Sequence, residues 1–167
     1  MAIKSPKEFF VHKLSVVWHG TQRSVQFFEE MSKSVQQPEI RDALSARAFI
    51  ASSDISKLDQ CFKLLGEKPV EPNTKMQEML VEDYRRELGG IESPVGKILF
   101  TLSMVNHLTH LRIAGLETLV ALADRSGNFG VGVLIESVLA DKIAFIERNR
   151  RFLRRFAEEK IADRLAA

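Results

Sequence analysis

Cysteine is nearly absent: Cys61 is the only one in 167 residues, which excludes an internal disulfide and leaves no thiolate pair for zinc. Set among Leu58, Phe62 and Leu65, it reads as a core thiol and not as a nucleophile. Five prolines and nine glycines are few, as in a mostly helical chain. No uncharged apolar run reaches the ~18 residues of a membrane span, and the opening "MAIKSPKEFF" lacks the apolar stretch of a secretory signal. The expectation is a soluble, cytoplasmic protein. Charge of one sign is also missing. A net charge of +2 gives no global field for nucleic acid or anionic lipid, so any basic patch must be local.

Hydrophobic residues at 45% and charged residues at 28% are globular values. At 18.9 kDa, surface scaling lets a single domain spanning residues 1–167 bury roughly 70% of its area. Ser5-Pro6-Lys7-Glu8 combines an N-cap, a first-turn proline and a capping-box glutamate, and Ser93-Pro94 repeats the signal. With the three-and-four spacing of apolar residues, these predict helices over about 6–34, 38–65, 74–88, 94–126 and 129–160. No segment alternates like a strand. Hairpin, long crossover with a short helix, hairpin is the ordering of an all-α, ferritin-like four-helix bundle. Phe9, Val16 and Phe27 form an apolar stripe beyond the needs of one core, which predicts a homodimer.

Enzyme signatures are missing. Five residues separate Gly90 from Gly96, and Ile98 stands where a phosphate loop needs Ser or Thr. Gly127, Gly130 and Gly132 follow no strand, so helix packing explains them better than a dinucleotide site. Of His12, His19, His107 and His110, the last two could share a helix face, but surface placement is the simpler reading. The run "RNRRFLRRFAEEK" sets Arg148, Arg151 and Arg155 beside Phe152 and Phe156; Glu147, Glu158, Glu159 and Asp163 neutralise much of it. It reads as a solvated helix with aromatic anchors.

The phrases "KLDQCFKLLGEKP", "HLRIAGLETLVALADRSG" and "LIESVLADK" resemble the YciF-type ferritin-like, stress-associated proteins of bacteria over roughly residues 5 to 147. The resemblance implies the bundle fold and inward carboxylates and histidine of a di-metal site, since two cations in a core need several anionic oxygens and imidazoles. Carried over on the matched phrases, the first-helix ligand falls on Thr21, the second-helix pair on Arg47 and Ile50, the third-helix pair on Thr109 and Arg112, and the last pair on Asp141 and Lys142. Only Asp141 keeps a ligand type, so the site is degenerate. His19 and His107 lie about 200° of helix rotation from Thr21 and Thr109, and do not compensate.

Arg47 and Arg112 instead suggest an ion-pair plug with Asp54 and Asp141 in the former cavity, a bidentate guanidinium network needing no metal. The expectation is therefore a non-enzymatic structural or interaction protein with no cofactor. The alternative is a metal-binding or redox protein with an unconventional site at His107, His110, Glu136 and Asp141.

Overall fold

Ser5 sits in extended backbone and its hydroxyl accepts the Glu8 amide at 3.1 Å, one residue ahead of Pro6, whose missing N–H costs nothing in a first turn. From this cap α1 runs Pro6–Ser34. Ser93 repeats the device, accepting the Gly96 amide at 3.2 Å, and opens α4, Pro94–Arg125. Between them lie α2, Pro38–Leu65, and α3, Met76–Gly90; α5 is Phe129–Leu165. This computed structural model describes residues 3–72 and 75–165, without the side chains of Gln77 and residues 159–165.

Gly66 ends α2 in the left-handed region, φ 66°, and Gly127 makes the α4–α5 turn at φ 71°, conformations only glycine adopts without strain. Two boundaries differ from the expectation. α3 continues through Gly89 and Gly90, both exposed with open space around them, before Ile91 N–H closes on Leu88 O at 3.3 Å. α5 runs past residue 160 to Leu165. The expected start of α3 at residue 74 lies outside the described residues.

α1 packs on α2, α2 on α5, α5 on α4 and α4 on α1, closing a ring of four long helices, while α3 lies on α4. Phe10 and Leu14 near the start of α1 share a cluster with Phe62, Leu119 and Val131; Phe28, Met31, Ile40, Leu102 and Phe145 form a second one. Neighbours in the ring are therefore antiparallel, and the apolar core is divided into two ends. The layer between them is polar.

The free stripe on α1 is a correction. Phe27 is buried edge-on against Tyr84 of α3, with ring centroids 5.1 Å apart, and Tyr84 in turn stacks on Phe100 and shares a hydrogen bond with Thr101 Oγ1 at 3.1 Å. Val16 lines a groove with Pro72 and Met76 of the crossover. Arg23–Glu78 and Arg85–Glu30 ion pairs, each 2.6 Å, fasten α3 to α1 from outside. The crossover thus covers Phe27 of that stripe, and Val16 faces the groove beside it.

Candidate functional site

Arg47 enters the middle layer from α2, with its guanidinium carbon 5.6 Å from the Phe28 ring centre and 5.2 Å from that of Phe145. Stacking between two ring faces favours a desolvated guanidinium. Asp54, two turns along the same helix, accepts a hydrogen bond from Lys142 Nζ of α5 at 2.8 Å, and Arg47 Nη1 lies 3.6 Å from the same oxygen. Exposures of 3% for Arg47, 0% for Asp54 and 1% for Lys142 make this a core cluster. α4 contributes Arg112, whose guanidinium lies where a Cβ on Gly20 of α1 would project.

Thr21 and Thr109 turn their hydroxyls back on their own helices, donating to Val17 O and Val105 O at 2.8 Å each. They thus add small polar walls without adding charge. Thr21, Arg47, Thr109, Arg112 and Lys142 surround a cavity of about 10 Å³, near the size of one water. Burial pushes Lys142 down to about 8, with Arg47 adding to the fall and Asp54 opposing it. Burial, reinforced by Arg23 and Arg47, brings Arg112 to about 10. Arg47 is lowered by burial against the opposing pull of Asp54 and Asp141.

Four of the degenerate ligand positions, Thr21, Arg47, Thr109 and Arg112, converge here. Ile50 and Asp141 do not line the cavity; Ala51 and Lys142 do, because one residue of sequence is about 100° of helix. Asp141 is partly exposed and accepts from Lys57 Nζ at 2.8 Å, while its charge acts on Arg47 through space. Lys142 is the inward member of that pair. Its signal was its place on the stripe Val138, Lys142, Phe145.

The histidines lie elsewhere. His107 and His110 are exposed, His110 Nδ1–H donating to Asn106 O at 2.9 Å, and Glu136 is exposed on α5. His19 stands 3.6 Å from Glu71. Among the described residues no three His, Cys, Asp or Glu side chains converge on a metal position. Nor do the core residues fit a di-metal centre, since two arginines and a lysine stand where anionic ligands would be needed. Cys61 is buried, and burial pushes its thiol up to about 12. The basic run on α5 is tied to neighbours, Arg155 pairing with Glu39 and Arg150 with Glu147; the side chains of Glu159 and Asp163 lie outside the described residues.

Residues 5–166 match the family described as a domain of unknown function, DUF892. The chain belongs to the DUF892 family. Among solved structures it is similar to the Escherichia coli stress protein YciF, at a TM-score of 0.88 and 16% identity over 93% of this chain and 99% of that one. It is also similar to YcfI of Rhodopseudomonas palustris, for which a structural role has been suggested, at 0.85 and 20% over 89% and 94%. A third likeness is to a Xanthomonas campestris protein, at 0.74 and 14% over 96% and 99%. At these identities the likeness is one of fold. No curated protein matches significantly. Among the described residues, no helix of this DUF892 chain is long and apolar enough to cross a membrane.

Proposed function

We propose that this DUF892 chain is a single-domain, ferritin-like four-helix bundle acting as a non-enzymatic structural or interaction protein, with a stress-associated role like the one named for YciF. The observation that carries this reading is the cluster of Arg47, Arg112 and Lys142 around the positions where the family resemblance puts metal ligands. Three cationic side chains at hydrogen-bonding range repel a divalent ion instead of binding it, and redox chemistry loses its centre. Asp54 answers part of their charge, so the layer serves as an internal plug.

Association of two copies belongs to the same proposal, through a different surface from the α1 stripe. Phe49 and Leu64 on α2, with Phe129, Val133 and Ile143 on α5, are exposed large apolar side chains on two helices that pack side by side. Exposed apolar side chains on adjoining helices are the surface a second copy would cover.

The test is elemental analysis of protein purified without chelator or an affinity-tag metal. The expected content is below about 0.1 equivalent of iron, manganese or zinc, with no ferroxidase activity, because a built di-metal core binds tightly. Near-stoichiometric metal would overturn the reading.

A further inference from the structure

Between α1, α4 and the crossover lies a groove of about 400 Å³, within the range of small-molecule sites. On α1 its lining runs from His12 to Arg23, about 16 Å of helix, so the space is elongated. Its walls are mostly apolar: Val16 from α1, Leu111 and Ala114 from α4, Pro72 and Met76 from the crossover side. Met76 is 57% and Leu111 37% exposed, and both large apolar side chains border this one space. Small residues keep it open, since a Cβ on Gly115 would come within 3.0 Å of Val17 Cγ2.

No acidic side chain is among the described lining residues, whereas Lys13, Arg23 and Arg112 are. These cations are not equivalent. Arg23 is answered by Glu78 at 2.6 Å, His19 stands 3.6 Å from Glu71, and Arg112 belongs to the buried middle layer. At the opposite end Lys13 is half-buried, 5.6 Å from the Phe9 ring centre, and forms no ion pair with a described residue. His12, also half-buried, adds ring nitrogens that no described residue engages. We propose that the groove binds one unbranched monocarboxylic acid of about eight to ten carbons, with its carboxylate at Lys13 and His12 and its chain along Val16, Leu111 and Met76. Volume sets the length: about ten to twelve heavy atoms, each near a water's ~30 Å³ share of a liquid, fill most of the space. A second anionic group would reach the end where Glu78 already answers Arg23, so one charge is favoured. Such binding is independent of the structural role and of the charged middle layer.

Isothermal titration of the full chain with sodium decanoate, sodium octanoate and 1-octanol tests the site. Decanoate is expected to bind once per chain with a Kd on the order of 10 μM, and octanoate about tenfold more weakly for its two missing methylenes. Uncharged 1-octanol should bind at least fivefold more weakly than octanoate. Lys13→Gln is expected to weaken octanoate about fivefold and to leave 1-octanol unchanged. Ala114 is exposed, so Ala114→Trp should fill the groove and abolish binding while melting within about 2 °C of the wild type. No binding of decanoate by the wild type up to about 1 mM, or 1-octanol equal to octanoate, overturns the proposal whatever the variants do. Binding retained by Ala114→Trp would put the ligand on another apolar surface and overturn the groove. Octanoate affinity unchanged in Lys13→Gln would overturn the placement of the carboxylate.

Discussion

Lys142 is the residue whose charge state the core controls. Its folded value is about 8 against 10.5 for an ordinary lysine, with burial the first cause. Below pH 8 both folded and unfolded chains hold the proton and stability does not vary with this group. Between about 8 and 10.5 the unfolded chain binds a proton that the folded chain has released, so stability rises with pH, and above that range the gain is complete. Cys61 has the opposite sign: a thiol pushed up to about 12 stays protonated in the fold while the unfolded chain ionises above 9.0, so stability falls there. Comparison with Lys142→Met cancels the cysteine. At fixed ionic strength the wild type should gain on the variant by about 1–3 kcal/mol between pH 7.5 and 9.5, measured by urea titration. A constant difference would show that Lys142 does not titrate in that window. This residue also marks where sequence reading stopped. Matched phrases put Arg47 and Arg112 in the interior, where they are 3% and 8% exposed, but could not separate Asp141 from Lys142, adjacent residues about 100° apart on the helix.

The serine-proline starts and the glycine stops were the most legible boundaries, because their causes are local. Ser5-Pro6 and Ser93-Pro94 begin α1 and α4, and Gly66 and Gly127 end α2 and α4 through their positive φ. What covers each helix was less legible, since an apolar stripe states that a partner exists without saying which. Phe27 found Tyr84 across 57 residues of chain. The approach of α1 to α4 was equally hidden: Arg112 fits because residue 20 has no side chain, and a Cβ on Gly115 would come within 3.0 Å of Val17 Cγ2. Gly20→Ala is therefore expected to cost about 1–3 kcal/mol by crowding the guanidinium. In an Arg112→Ala background the same change should be neutral or stabilising by up to about 1 kcal/mol, since alanine is the better helix former. A purely additive double-mutant cycle would show that the two positions do not share this space.

At the scale of the molecule, the chain exposes 9,770 Å², above the ~8,300 Å² expected for its mass. Apolar side chains on α2 and α5 contribute, Phe49 being 78% and Val133 64% exposed. Light scattering at micromolar concentration is expected to give about twice 18.9 kDa, and Phe49→Asp with Val133→Asp should halve the mass while leaving the helical signal unchanged. A monomeric wild type would sink the dimer.

The division of the charged layer between the two hairpins has a consequence for assembly. The α1–α2 hairpin carries Arg47 and Asp54, one charge of each sign, whereas the α4–α5 hairpin brings only cations, Arg112 and Lys142. The second hairpin's inner charges therefore find their carboxylate only across the joint. Sliding one hairpin past the other by a single turn, about 5.4 Å, would keep leucine against leucine yet carry Lys142 away from Asp54, stranding both inside. Oily surfaces alone tolerate such slippage; a lone acid among three bases does not, and it keys the two halves to one alignment.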